Sequence, residues 1–186
     1  MTMTETSTPA FPLTRGRAKG YETRAVDAFL ARARASFETG GEVVTAAEVR
    51  QAAFPLVRRG YAVEAVDAAL TRIEDAFAAR ERHAAVTGGA ARSWVGSTRE
   101  TAQTVLDRLT RPRGHRFTRV GKLRYGYRVD EVDIVADKIA RYLETGESVT
   151  VDQVRSVAFR MERGGYREVQ VDAVLDAVIE VMLAVS

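Results

Sequence analysis

Cysteine is absent from the 186 residues, and histidine occurs only twice, as His83 and His115. The first absence excludes disulfides, thiol nucleophiles and thiolate metal sites. The chain also lacks a phosphate-cradling glycine loop, a paired-histidine motif and a Ser-His-Asp set with local support. We therefore expect a protein that is not an enzyme and that uses no metal, cofactor or small-molecule substrate.

Long apolar runs are missing as well. No stretch of roughly eighteen apolar residues occurs, so we expect no membrane span. Residues 1–8 lack the basic and apolar regions of a secretory signal, and we expect them to be a disordered tail of a cytoplasmic protein. The net charge of +3 is mild, so any binding of anions must come from local clusters.

One short motif occurs four times. Each copy has the dipeptide Gly-Tyr, and Val-Asp begins five residues after the tyrosine. A phenylalanine precedes the glycine by nine residues in copies one and three (Phe11 and Phe117) and by six in copies two and four (Phe54 and Phe159). This alternation indicates a duplicated pair. The motif residues are Gly20, Tyr21, Val26, Asp27; Gly60, Tyr61, Val66, Asp67; Gly126, Tyr127, Val132, Asp133; and Gly165, Tyr166, Val171, Asp172.

A helix is predicted after each Gly-Tyr. Apolar residues recur there in steps of four, three and four, which places them on one narrow stripe. The stripes are Val26, Leu30, Ala33, Phe37; Val66, Leu70, Ile73, Phe77; Val132, Ala136, Ile139, Leu143; and Val171, Leu175, Val178, Met182. Two further short helices are expected from about 46 and 151, because Thr45 with Glu48 and Thr150 with Gln153 match the capping box.

These elements predict an all-α fold made of two duplicated halves. In each half we expect two motif helices, 22–38 and 62–82 in the first, paired in a short parallel coiled-coil-like manner, with the short helix in the return connection. Pairing between chains through the same stripes is the alternative. The predicted halves are 9–83 and 98–186, separated by a linker at 84–97 and with an additional helix at about 98–110. No strand is predicted.

The motif residues allow more than one role. Each glycine fits either a positive φ or a close approach of another backbone. The tyrosine rings are expected to pack against the helix pair, with exposure for recognition as the alternative. The aspartates are expected to interact with the helix dipole in the first turn or to pair with a neighbouring arginine.

Basic residues are concentrated between Asp107 and Asp130, where no acid occurs. Such a cluster fits anionic lipid or an acidic protein partner, and its interleaved aromatics also fit nucleic acid. The third possibility is a solvated loop whose aromatics lie in the core. The candidate residues for an anionic surface are Arg111, Arg113, Arg116, Arg119, Lys122 and Arg124, together with Arg58 and Arg59 of copy two.

Taken together, the pattern Phe…Gly-Tyr-x4-Val-Asp-x2-Leu resembles the N-terminal domain of DivIVA, a bacterial cell-division and polarity protein. The four copies are most similar to actinobacterial DivIVA-domain repeat proteins. This resemblance implies crossed loops ahead of a parallel helix pair, binding to curved membrane, and recruitment of division or wall-growth proteins. The lipid-inserting aromatic of the family would lie two residues before Gly-Tyr, where this chain has Ala18, Arg58, Arg124 and Arg163.

Two functions follow as hypotheses. The first is a non-enzymatic DivIVA-like interaction or adaptor module for cell division or polar growth, with protein partners or a second copy of itself. It would be cytoplasmic or peripheral at the inner face of the cell membrane, attached electrostatically through its basic loops. The alternative is a nucleic-acid-binding helical protein, because short capped helices followed by a longer helix resemble helix-turn-helix units. Acids on the long helices, such as Glu74 and Asp137, disfavour that alternative.

Overall fold

The chain is mainly helical and divides into two compact units, Met1–Glu81 and Arg82–Ser186. A computed structural model describes residues 9–39, 44–88 and 91–185. Within these ranges there are seven helices and two small two-stranded sheets. The predicted disordered tail, 1–8, lies outside the described residues.

The first unit contains both motif copies of the first half. Its elements are β1 (Lys19–Tyr21), α1 (Thr23–Thr39), α2 (Ala46–Arg50), β2 (Leu56–Arg58) and the start of α3 (Val63–Thr87). The two long helices begin within one residue of the predicted positions. Helix α3 extends five residues past its predicted end, into the region that was assigned to a linker.

The second unit repeats this order and adds one helix in front. Its further elements are α4 (Ala91–Leu109), β3 (Tyr125–Tyr127), α5 (Val129–Thr145), α6 (Val151–Arg155), β4 (Met161–Arg163) and α7 (Glu168–Val185). The predicted start of α4 at about 98 is wrong, because the helix begins at Ala91, within the predicted linker 84–97. The Ser97 hydroxyl donates to the carbonyl of Trp94 at 3.0 Å, inside the helix. Ser93, Gly96 and Ser97 lie within α4, where serine and glycine are tolerated at modest cost.

Both short helices begin with the predicted capping box. The Thr45 hydroxyl accepts from the backbone of Glu48 at 3.1 Å, and the Glu48 carboxylate accepts from the backbone of Thr45. Thr150 and Gln153 make the same reciprocal pair at the start of α6. These local bonds explain why helices of only five residues form where they do.

The four strands were not predicted, and they all lie at or beside the Gly-Tyr motifs. Strand β1 pairs antiparallel with β2, placing Lys19 opposite Arg58 and Gly20 opposite Val57. Strand β3 pairs with β4 in the same way, placing Tyr125 opposite Arg163. Strands of three residues carry no alternation that periodicity could detect, because their pairing depends on a partner distant in sequence.

Most of the predicted stripe residues are buried in their own unit. Val26 and Val66 in the first unit and Val171 and Val178 in the second are almost inaccessible to solvent. Leu30, Ile73, Leu143 and Leu175 are half-buried, and Phe37 is 45% exposed. In the second unit α4 packs against both α5 and α7 and buries Val105 and Leu109.

Candidate functional site at the Gly-Tyr crossings and the basic loop

The glycines of each motif pair lie where two backbones cross. A Cβ added at Gly20 would lie 2.2 Å from the carbonyl oxygen of Tyr61, and one at Gly60 would lie 2.4 Å from that of Tyr21. Gly126 and Gly165 show the same contacts in the second unit. None of the four motif glycines has a positive φ. The close approach of a second backbone, and not a positive φ, therefore requires glycine here.

Backbone hydrogen bonds hold each crossing. The amide of Tyr21 donates to the carbonyl of Tyr61 at 2.9 Å, and the amide of Tyr61 donates back at 2.8 Å. Tyr127 and Tyr166 exchange the same two bonds at 2.9 and 2.8 Å. Each crossing thus has an approximate twofold relation between its two motif copies.

The tyrosine side chains repeat this exchange. The Tyr61 hydroxyl donates to Asp27 at 3.1 Å, and the Tyr166 hydroxyl donates to Asp133 at 3.1 Å. Tyr21 and Tyr127 interact with Asp67 and Asp172. In every case the aspartate belongs to the other motif copy of the same unit. The four reciprocal pairs are Tyr21 with Asp67, Tyr61 with Asp27, Tyr127 with Asp172, and Tyr166 with Asp133.

The repeated phenylalanines make a third set of exchanged contacts. Phe11 packs edge-on against Tyr61 and Phe117 against Tyr166, with ring centroids 5.3 Å apart in both pairs. Phe54 and Phe159 lie 5.4 Å from Tyr21 and 5.1 Å from Tyr127. The spacing of nine or six residues before the glycine therefore places each ring on the tyrosine of the other copy.

The first predicted role of the aspartates, interaction with the helix dipole in the first turn, is wrong, because each lies at the fifth residue of its helix, in the second turn. The second predicted role, pairing with an arginine, holds for Asp133, which lies 3.8 Å from Nε of Arg116. The contact that all four aspartates share is with a tyrosine. Sequence reasoning missed this pairing because it joins residues more than thirty positions apart, although the fixed Tyr-to-Asp spacing in all four copies was the available signal.

Burial raises the pKa of all four motif tyrosines above the ordinary value of 10.0, and the neighbouring carboxylate raises it further. The backbone amides of Ala10 at Tyr61 and of Arg116 at Tyr166 lower the pKa and so act in the opposite direction. The phenols are consequently neutral donors at physiological pH. Tyr61 and Tyr166 are fully buried, whereas Tyr21 and Tyr127 are partly exposed.

Arg116, a predicted anion-binding residue, is instead part of the core of the second unit. Its side chain is 6% exposed and donates to the carbonyl of Asp133 at 2.7 Å, to the carbonyl of Arg111 at 3.0 Å and to the carboxylate of Asp137. Arg113 also donates to Asp137. Arg116 therefore cannot reach an external anion without unfolding the loop, and the prediction that it belongs to an anion-binding surface is wrong.

The other predicted basic residues of the second unit are exposed. Arg119, Lys122 and Arg124 surround the turn that leads into β3, and Arg119 also donates to the carbonyl of Gly164 at 3.0 Å. Arg111 is exposed at the end of α4. In the first unit Arg58 and Arg59 are exposed, and Arg59 adopts a φ of 57° at the position that Gly164 occupies in the second.

Leu123 is the residue that sequence reasoning missed. It is 85% exposed at the tip of this turn, between Lys122 and Arg124. The neighbouring Tyr125 is 55% exposed, and the Arg163 guanidinium lies 5.6 Å from its ring centroid. Next to the tip is a depression of about 510 Å³ lined by Arg119, Val120, Gly121, Arg124, Tyr125, Arg167, Glu168 and Val169. An apolar side chain flanked by bases three residues before Gly-Tyr was the available signal.

No protein-family model, curated protein or solved structure matches this chain. Among the described residues, none of the helices has the length and apolar character needed to cross a membrane. Within the same ranges, no group of three or more His, Asp or Glu side chains is arranged to hold a metal ion.

Proposed function

We propose that this chain is a non-enzymatic adaptor of the DivIVA-like repeat type, acting in bacterial cell division or polar growth. In this proposal each unit is a single-chain equivalent of a parallel DivIVA-like dimer, with its two motif copies in place of the two protomers. Its two motif copies cross at Gly-Tyr, and their helices then run side by side. The partners would be proteins of the division or wall-growth machinery.

The observation that carries this proposal is the exchange of contacts at both crossings. Backbone bonds, Tyr–Asp bonds and Phe–Tyr packing all connect one motif copy to the other. Phe37 and Phe77 occupy equivalent positions on α1 and α3, and their rings lie 5.3 Å apart. Equal distances from the two Gly-Tyr dipeptides support a parallel, in-register arrangement of these helices.

A peripheral membrane role is supported by the tip of the basic loop. Leu123 is accessible for contact with acyl chains, and Lys122, Arg119 and Arg124 stand beside it. Each basic residue near an anionic bilayer contributes about 1 kcal/mol. The absence of an aromatic two residues before Gly-Tyr is thus compensated, in this proposal, by a leucine three residues before it.

The cellular experiment is to image a fluorescent fusion in dividing cells of the source bacterium. We expect accumulation at septa or poles. A diffuse signal from a full-length, stable fusion would contradict the adaptor proposal.

The membrane part is tested separately by flotation with vesicles of phosphatidylglycerol or of phosphatidylcholine. We expect the wild type to float with the anionic vesicles only. Leu123→Ser and the double variant Lys122→Gln/Arg124→Gln should each reduce the floated fraction. The matched control, Arg92→Gln/Arg99→Gln, removes the same charge from exposed positions on α4 and should float like the wild type. Failure of the wild type to float, together with retention on DNA at low salt, would favour the nucleic-acid alternative.

A further inference from the structure

An open apolar groove lies between α1 and α3 in the first unit. Its volume is about 360 Å³, and its walls come entirely from these two helices. Phe37, 45% exposed, stands at its edge. Five of its lining residues are stripe residues of the motif helices, so part of the predicted seam is accessible: Leu30, Ala33, Phe37, Ile73 and Phe77.

The second unit shows what covers the corresponding face. There α4 packs against both α5 and α7, the helices equivalent to α1 and α3. Counted from Gly-Tyr, Arg72 corresponds to Ala177, which faces α4 across a shared cavity. The equivalents of Ile73 and Ala76 are Val178 and Val181, which are both buried, whereas Ile73 is half-buried and Ala76 is exposed. One half of the duplication therefore carries its own covering helix, whereas nothing precedes copy one in the described residues except the segment from residue 9 to β1.

The α1/α3 groove of the first unit and the surface that α4 covers in the second unit differ in charge. Arg34 and Arg72 line the groove of the first unit, where the second unit has Ala140 and Ala177. Arg80 adds a third guanidinium, 5.3 Å from the ring centroid of Phe37. Glu38 is the one acid in the lining, and it already pairs with Arg34 at 2.9 Å. The mouth of the groove is therefore basic and its floor apolar.

We propose that the α1/α3 groove binds an amphipathic helix of a partner protein, with an apolar stripe on one face and acidic residues on both sides of it. The helix takes the place that α4 takes in the second unit, and its apolar anchors at i, i+3 and i+7 contact Leu30, Ile73 and Phe37. Acidic flanks pair with Arg34 and Arg72. A second copy of the chain fits less well, because groove-to-groove docking would bring these arginines against their own equivalents. This inference rests on the proposed adaptor function and specifies the chemistry of its partner.

The test uses the full-length chain and two labelled helical peptides with the same leucine and alanine stripe, one flanked by glutamate and the other by lysine. Fluorescence anisotropy should show saturable binding of the glutamate peptide and at least tenfold weaker binding of the lysine peptide. Phe37→Ser should weaken binding of the glutamate peptide. Arg34→Ala/Arg72→Ala, which copies the alanines of the second unit, should remove the discrimination, and Arg34→Glu/Arg72→Glu should reverse it.

The control variant Arg17→Glu/Arg24→Glu changes the net charge equally at exposed positions outside the groove and should behave as the wild type. Circular dichroism melts establish that each variant is folded. Equal affinity for both peptides, or no saturable binding by folded wild type, would overturn the proposal. The proposal would also be overturned if sedimentation showed that the wild type is a dimer and that Phe37→Ser is a monomer. A chain that localises to septa but binds neither peptide contradicts only the groove, and a chain that binds the peptide but stays diffuse contradicts only the adaptor function.

Discussion

The hydroxyl of Tyr166 lies 3.1 Å from Oδ1 of Asp133, a residue of the other motif copy in the second unit. The tyrosine ring is fully buried, and Phe117 packs edge-on against it. The same relation joins Tyr61 to Asp27 in the first unit. One side chain thus contributes both apolar burial and a polar link between copies.

Truncation of this tyrosine should be costly. We expect Tyr166→Ala to lower the free energy of unfolding by roughly 2–4 kcal/mol, because a large buried ring is removed. Tyr166→Phe keeps the ring and should cost about 1–2 kcal/mol for the lost hydrogen bond to a carboxylate. Urea denaturation measures both. Tyr125→Ala, at an exposed ring, is the control, and an equal loss there would contradict the assignment.

Gly126 should not tolerate alanine. A Cβ at this position would lie 2.3 Å from the carbonyl oxygen of Tyr166, so the crossing backbones must separate. Overpacking of this kind costs roughly 1–3 kcal/mol, and we expect the upper end or more. Gly121→Ala provides the matched control, since nothing lies within 4 Å of a Cβ there. If the thermal melting curves of Gly126→Ala and Gly121→Ala coincide, the two backbones at the crossing do not approach as closely as the structure shows.

Arg116, which is buried, and Asp137, whose side chain is 21% exposed, should behave as a coupled pair. Arg116→Ala leaves the buried carboxylate of Asp133 without its arginine, so it should destabilise the second unit by roughly 3 kcal/mol, the lower end of the range for a broken buried ion pair. In the first unit the equivalent positions are Ala10 and Ala31. The double variant Arg116→Ala/Asp137→Ala, which copies them, should therefore cost less than the sum of the two single variants. Additive losses in a denaturation cycle would argue against coupling.

The Arg116–Asp137 pair also predicts that the free energy of unfolding depends on pH in the acidic range. Burial alone would raise the pKa of Asp137, but the hydrogen bonds and charges of Arg116 and Arg113 outweigh it and hold the pKa below 3.8. A depressed folded pKa stabilises the protein above the ordinary aspartate range and loses that contribution as the pH falls through it. Asp137→Asn should therefore lose less stability than the wild type between about pH 5 and pH 2. Parallel acid-denaturation curves for the two proteins would contradict this.

The motif tyrosines predict a pH dependence of the opposite sign, in which the free energy of unfolding decreases at alkaline pH. Burial raises the folded pKa of all four motif tyrosines above 10.0. Their contribution is complete below pH 10 and decreases as the pH rises from there toward the folded values. Urea denaturation at increasing pH should show this loss, and Tyr61→Phe/Tyr166→Phe should reduce its slope. An unchanged slope would place the titrating groups elsewhere.

Local patterns predicted the local structure. The stripes and capping boxes located the helices because 3.6-residue periodicity and the Thr45–Glu48 bond act within a few residues. The repeats also predicted that the motif tyrosines pack inward, which is correct for Tyr61 and Tyr166. For the glycines the sequence left two explanations, and only the crossing geometry distinguishes them.

Long-range contacts could not be predicted in the same way. The partner of Asp133 is thirty-three positions away, and the strands exist only because two distant Gly-Tyr segments meet. Nor does charge alone reveal burial. Arg116 and Lys122 look equivalent in a basic run, but Arg116 lies inward against Asp133 and Asp137, and Lys122 lies at an exposed turn.

The reciprocal crossing is tested most directly by two double-mutant cycles that share Tyr166→Phe. One cycle combines it with Asp133→Asn and the other with Asp172→Asn, the aspartate of the same motif copy. The structure predicts a coupling energy of about 1 kcal/mol or more with Asp133 and near zero with Asp172. Coupling of Tyr166 to Asp172 and not to Asp133 would contradict the exchange of contacts between copies.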